Sequence, residues 1–298
     1  MKTLKRQTKD VLINRSIQLF FFLIMPDIYV TAFNGVKYLF TQFGNADVIS
    51  ITPFVAVLIT VLVYTFVFGR FFCGYACAFG FFGDVMYDAS SALQKKILGK
   101  VWQIPESVRS VLMKVKYILL AVILGLCFFG TYSKAAGYDP WEVFGSFRAL
   151  DFRLDGRTYG LIVLLLIMIG MVLVRRFFCI FLCPMGAVFS MVPVLPFSQM
   201  GRRPEKCIGK CHQCEVNCPT GYFTSDENSG ADFMGRNRGE GECISCNRCA
   251  SACPVCNAGP ALMKMLDGNK KRGNEWYIDA AKAGVLFACV KLVIMYIH

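Results

Sequence analysis

Cys207-Ile208-Gly209-Lys210-Cys211-His212-Gln213-Cys214-Glu215-Val216-Asn217-Cys218-Pro219 is followed, after a spacer, by Cys243-Ile244-Ser245-Cys246-Asn247-Arg248-Cys249-Ala250-Ser251-Ala252-Cys253-Pro254. The second run has the C-x2-C-x2-C-x3-C-P spacing that holds a [4Fe–4S] cluster. The first run is the same with one residue added between its first two cysteines, where Gly209 makes a looser loop plausible. Three closely spaced thiolates cap three irons of a cubane, and in two-cluster arrangements the fourth ligand comes from the other run. The expected sets are Cys207, Cys211, Cys214 and Cys253 for one cluster, and Cys243, Cys246, Cys249 and Cys218 for the other. The proline after each remote cysteine turns the chain away from the cluster. A zinc site would pair two C-x2-C knuckles across a longer gap without the C-x3-C-P tail. A disulfide framework needs an oxidising compartment, which the charge pattern below argues against.

The chain has 298 residues, 55% of them hydrophobic, with 17% charged. Its mean hydropathy of +0.49 is too high for an ordinary soluble protein. The net charge of +12 carries no basic stripe with interleaved aromatics, so nucleic acid is not an expected partner. Only His212 and His298 are histidines, one in a cluster loop and one at the terminus. A membrane haem needs axial histidine in its helices, so no haem is expected.

Four apolar runs are expected to span a membrane: 16–33, interrupted by Pro26 and Asp27, then 51–68, 117–132 and 159–174. Lys2, Lys5, Arg6, Lys9 and Arg15 precede the first, and no small-residue cleavage site follows it, so no removed signal is expected. Lys37 alone is basic in 34–50, whereas 84–116 carries Lys95, Lys96, Lys100, Arg109, Lys114 and Lys116. The segment 131–158 balances its basic residues with Asp139, Glu142, Asp151 and Asp155, and the chain after Arg175 is basic again. Positive-inside bias then puts the N-terminus and the cluster segment in the cytoplasm, where thiols stay reduced. In the tail, Lys282 and Lys291 interrupt an apolar run, which leaves a fifth span and an interfacial helix as alternatives.

The chain also repeats itself. Arg70-Phe71-Phe72-Cys73-x3-Cys77-x2-Gly80 aligns with Arg176-Phe177-Phe178-Cys179-x3-Cys183-x2-Gly186 at a constant offset. Two helix hairpins with this ending imply a pseudo-two-fold bundle with four cysteines on one membrane face. If the helices run through the motif, cysteines at i and i+4 share a face about 5–6 Å apart, wider than a disulfide wants. Cys73, Cys77, Cys179 and Cys183 are therefore candidates for a further metal or redox centre, against the plainer reading of buried packing cysteines. Arg70 and Arg176 read first as positive-inside anchors. Cys127, Cys289 and Cys256 read as packing residues or a spare thiol.

The C-x3-C motifs after alternate spans, followed by tandem cluster runs, resemble the NapH- and NosR-type membrane polyferredoxins of bacterial respiration over roughly residues 10–256. Ala78 departs from the family pattern, which has proline there and keeps it at Pro184. No large N-terminal flavin domain is present, so no covalent flavin is expected. The resemblance implies an all-α integral membrane four-helix core with a cytoplasmic 2×[4Fe–4S] bacterial-ferredoxin-like domain, in a bacterial cytoplasmic membrane. It implies a core over 1–200, a double-cluster domain over 201–260 and a tail over 261–298. It also implies electron transfer between the quinone pool and a separate redox protein, as a quinol dehydrogenase subunit. An assembly or regulatory role, or a relay from a cytoplasmic donor, stands as the alternative. Proton-acceptor candidates are Asp27, an intramembrane carboxylate, Glu142 beside Trp141, and Asp84 and Asp88 after the first cysteine pair.

Overall fold

Pro26 decides the first departure from a straight span. Proline lacks the N–H that a helix interior needs and pushes its predecessor out of the helical region. The apolar run of 16–33 is accordingly two helices, α1 (Lys2–Ile24) and α2 (Ile28–Asn45), bent by 63° at the break. The expected outer loop of 34–50 is mostly the rest of α2. α3 (Pro53–Phe68) starts on Thr52, whose hydroxyl accepts from the Val55 N–H at 3.4 Å, with Pro53 in the first turn. It stops at Gly69, whose φ of +72° only glycine adopts freely. The computed structural model describes residues 2–48, 50–99, 104–132, 140–148, 158–202, 207–208, 211, 213–221, 242–255, 257–260 and 276–297.

Each C-x3-C motif folds as a π-helical turn rather than as a continued α-helix. The turns are Phe72–Ala76 and Phe178–Leu182, closed by Cys77 N–H to Phe72 O at 3.0 Å and Cys183 N–H to Phe178 O at 2.8 Å. Cys77 and Cys183 are then extended and cap new helices, α4 (Ala78–Leu98) and, later in the chain, Pro184–Met191. The i, i+4 shared face expected for each pair is thus replaced by a wide turn with its second cysteine at a helix start. Ala78 and Pro184 occupy the same first helical position, so the missing proline leaves the backbone path unchanged.

α5 (Glu106–Phe128), α6 (Pro140–Arg148) and α7 (Thr158–Leu173) precede the second turn, and α8 (Pro184–Met191) follows it. The cluster segment contributes two short helices, α9 (Gln213–Val216) and α10 (Arg248–Ala252). A two-stranded ribbon, β1 (Met200–Gly201) with β2 (Gly259–Pro260), pairs antiparallel with Met200 opposite Pro260, tying the two ends of that segment together. The tail is one helix, α11 (Trp276–Ile297), which buries Ala283, Leu286 and Val290 and receives the Tyr64 hydroxyl on the Lys282 carbonyl at 3.0 Å. It packs on α3 rather than standing apart. An aromatic cluster of Tyr29, Phe79, Trp141 and Phe178 fills the core beneath the two π turns.

The protein is mostly helical. Among the described residues one helix, Val108–Phe128, is long and apolar enough to cross a membrane alone, and the bent pair Thr8–Ile24 and Ile28–Asn45 qualifies jointly. Pro53–Phe68 and Thr158–Leu173 are apolar but shorter. Of the expected 84–116 loop, most residues are helical, in α4 and the first half of α5.

Candidate functional site

The fold brings the two cysteine runs together crosswise. Cys207, Cys211, Cys214 and Cys253 line one small pocket, together with Ile208 and Val255. Their sulfurs collect N–H donors: Arg202 Nη1 to Cys214 Sγ at 3.0 Å, Asn257 N to Cys253 Sγ at 3.1 Å and Asn257 Nδ2 to Cys207 Sγ at 3.4 Å. Burial raises the Cys214 thiol, with Arg202 opposing. Cys218 leaves its own run and stands close enough to Cys243, Cys246 and Cys249 to act on each electrostatically. Burial pushes the Cys243 thiol up to about 12 and raises Cys249 as well, and the neighbouring sulfurs add to both. Such thiols stay protonated at neutral pH until a metal displaces the proton. Among the described residues no three His, Cys, Asp or Glu side chains converge on a single metal ion. The donor set is all thiol, the ligand type that iron–sulfur clusters take. Gly209, Lys210, His212 and Cys256 lie outside the described residues.

The four motif cysteines are buried and also converge: Cys77 feels Cys179, Cys73 and Cys183, and Cys183 feels Cys179 and Cys73. Each arginine of the repeat crosses to the other copy. Arg176 donates to Cys73 O at 2.6 Å and Gly74 O at 3.1 Å, and lies where a Cβ on Gly80 would be. Arg70 Nη2 would sit 3.2 Å from a Cβ on Gly186. The arginine and glycine of R-F-F-C-x3-C-x2-G are therefore two halves of one contact. Both arginines are only 2% exposed, so they are internal groups and not interfacial anchors.

Their counter-charges differ. Arg176 Nη2 pairs with Asp84 at 2.6 Å, and Arg15, Arg175 and Arg248 reach the same carboxylate at 3.0, 3.7 and 3.7 Å. Burial raises the Asp84 pKa, but Arg176, Arg248 and Arg15 outweigh it and hold the carboxyl well below its usual range. Asp88 pairs with Arg15 and, at 2.5 Å, with Arg175. Arg70 faces Glu242 at 3.6 Å, and the fully buried Lys116 binds the same carboxylate. Asp27 is exposed at the α1–α2 break. Glu142 belongs to α6, and its side chain lies outside the described residues, as does the whole of 133–139.

Several contacts escape motif reading. The Ile244–Cys246 loop rests on the first π turn: a Cβ on Gly74 would meet Ile244 O at 2.5 Å and Cys246 Cα at 3.5 Å, and one on Gly69 would meet Ser245 Oγ at 2.9 Å. Asn14 donates to Cys246 O at 3.3 Å. Asp279 of α11 accepts from Asn247 at 2.9 Å and from the Tyr75 hydroxyl at 3.0 Å. The available signal was the repeat's own mismatches: Gly69 and Gly74 stand opposite Arg175 and Ile180, so only the first copy leaves room for a loop.

A helical core with paired cysteine motifs and a crossed double quartet defines a class, that of proteins with an iron–sulfur binding domain. The family model for a 4Fe-4S binding domain matches residues 50–104 and 157–195, the two halves that carry the C-x3-C pairs. An uncharacterized protein of Methanocaldococcus jannaschii is 26% identical over 68% of this chain and 77% of its own length. The putative electron transport protein YccM of Escherichia coli is 26% identical over 78% of this chain and 63% of its own. The ferredoxin-type protein NapH of Escherichia coli is 25% identical over 66% of this chain and 63% of its own. With the match to the regulatory protein NosR, over 49–52% of this chain and about a fifth of that protein, these findings bear out the resemblance to NapH/NosR-type polyferredoxins. No solved structure matches the chain.

Proposed function

We propose that this chain is a membrane-embedded iron–sulfur electron-transfer protein that takes electrons from a quinol and hands them to a separate redox protein. The observation that carries the reading is the crossed double quartet seated directly on a core whose helices turn apolar side chains outward. Ile59 and Val63 of α3, Ile118 and Val122 of α5, Leu165 and Ile169 of α7, and Leu292 and Met295 of α11 are all exposed. Apolar faces of this extent belong against lipid or a partner. In this reading the helices around 16–33, 51–68, 117–132 and 159–174 form the spanning core, short members being completed by the π turns and flanking aromatics. The clusters and α4 lie on the cytoplasmic side.

Cys207, Cys211, Cys214 and Cys253 would hold the outer [4Fe–4S] cluster, and Cys218, Cys243, Cys246 and Cys249 the inner one. When bound, each supplies a one-electron acceptor. Arg202, Asn257 and the backbone around Ser245 donate to the sulfurs and stabilise the added negative charge. Asp84 and Asp88, bound by arginines, act as counter-charges in this scheme; Asp27 and Glu142 remain the proton-acceptor candidates. A regulatory or assembly role is the second reading, favoured by the similarity to the regulatory protein NosR.

The test is anaerobic reduction of the oxidised protein in mild detergent by a reduced quinol analogue, followed by visible bleaching and EPR with dithionite as the full-reduction reference. Substantial reduction by quinol is the expected result. Reduction by dithionite alone removes quinol as the immediate donor to this chain. A strain that keeps quinol chemistry but loses a partner enzyme's metal would move the balance to the second reading.

A further inference from the structure

At the middle of each C-x3-C motif the two copies of the repeat differ by a hydroxyl: Tyr75 in the first π turn, Phe181 in the second. Both residues are buried. A buried tyrosine needs a partner for its hydroxyl, which a phenylalanine in the same place does not. Here the partner comes from outside the repeat. The Tyr75 hydroxyl donates to Asp279 Oδ2 of α11 at 3.0 Å. Asn247 Nδ2 lies 2.9 Å from each Asp279 carboxylate oxygen and 3.2 Å from the Tyr75 oxygen. The three side chains close one triangle, and each comes from a different part of the chain: the core, the second cysteine run and the tail.

Asn247 directly follows Cys246. Its φ is +55°, and Ser245 on the other side of Cys246 has a φ of +50°. Left-handed residues other than glycine persist where their surroundings hold them. Asp279 grips the side chain of one of them, while Ile244 O and Cys246 Cα close over Gly74, which the second copy replaces with Ile180. Gly74 and Tyr75 thus both serve the inner loop, and the second turn lacks both. Bracing alone asks for no charge, because a neutral oxygen at position 279 could accept the same bonds. The Asn247 and Tyr75 donors are neutral and hold the carboxylate without cancelling it. Lys282, one turn further along α11, lies over the Phe68 and Phe71 rings. A negative charge fixed beside an iron–sulfur cluster opposes the added electron and lowers its potential.

We propose that Asp279 is a positioning residue for the inner cluster: it seats the turn at Cys246 through Asn247, and its charge holds the potential of that cluster down, which favours onward transfer to the outer one. The tail helix is then part of the electron-transfer site. The inference rests on the assignment of Cys218, Cys243, Cys246 and Cys249 to one [4Fe–4S] cluster, and not on quinol as the donor.

The test is an EPR-monitored redox titration of the full chain, purified anaerobically, with the inner cluster identified as the signal that Cys218→Ser erases. Asp279→Asn and Asp279→Ala should both raise the midpoint potential of that signal and leave the other in place, at unchanged iron and sulfide content. The alanine separates loss of charge from the extra N–H that an asparagine brings. Tyr75→Phe makes the first turn like the second and keeps the carboxylate, so it should move the potential less than either. A node that only braces the loop gives another result: all three variants shed iron from the inner cluster and none raises its potential, which would overturn the inference. Equal rises in both clusters would overturn it too. If Cys218→Ser erases neither signal, the ligand assignment itself falls and takes the inference with it, whatever the Asp279 variants do.

Discussion

At the residue scale the chemistry turns on which group answers which buried charge. Asp84, 1% exposed, meets four guanidinium groups, and Arg176 has it as its nearest carboxylate. Removing one partner of a buried pair costs about 3–5 kcal/mol, so Asp84→Asn should lower the thermal unfolding midpoint of the loaded protein sharply. An unchanged midpoint would mean that the arginines are satisfied elsewhere. Because the folded-state pKa of Asp84 is depressed, its stabilisation is complete above the unfolded carboxylate value of about 4 and is lost as pH falls below it. The acid-side slope of stability should therefore be shallower in Asp84→Asn. The crossed ligand sets give a second outcome: Cys253→Ser should erase the signal of the cluster held by the first run, and Cys218→Ser that of the second. Loss of the cluster of the variant's own run instead would reverse the assignment. These cysteines were legible from spacing alone. Glu242, Lys116 and Asp279 were not, because a single charged residue carries no spacing to read.

At the element scale the two copies of the repeat are alike in backbone and unlike in contact. Both motifs leave the α-helix through a π turn and restart on a cysteine cap, which hydropathy cannot reveal because the side chains remain apolar throughout. The copies part where the inner loop docks. Gly80→Ala would put a methyl where Arg176 lies, whereas Gly186→Ala meets Arg70 at 3.2 Å. The first should cost about 1–3 kcal/mol and the second distinctly less, as chemical denaturation of the two variants would show; equal losses would refute the crossed-arginine arrangement. Gly74→Val should lift the Ile244–Cys246 loop off the first turn. Limited proteolysis should then release the cluster segment faster, while α5 and α7 stay protected.

At the scale of the whole molecule the two cysteine quartets fall into an order. The inner quartet touches the core through Gly69, Gly74 and Asn14, the outer quartet touches the inner through Cys214 beside Cys249, and Cys207 is exposed. In the proposed function, electrons from the core should thus pass the inner cluster before the outer. Cys243→Ser should leave the outer cluster reducible by dithionite and not by quinol, and normal quinol reduction of the outer cluster in that variant would break the order. The sequence by itself determined the cysteine spacing and the two-copy motif, and from that spacing the expected ligand sets, because thiol spacing and apolar runs are written in local periodicity. It also carried the Arg–Gly pairing of the repeat without disclosing its meaning. Only the tertiary structure decided that the arginines cross between copies, that the first run of apolar residues bends at Pro26, and that the tail helix packs on α3 and braces the inner loop through Asp279. Those are contacts between residues distant in the chain, and their energies depend on burial and geometry that no local pattern records.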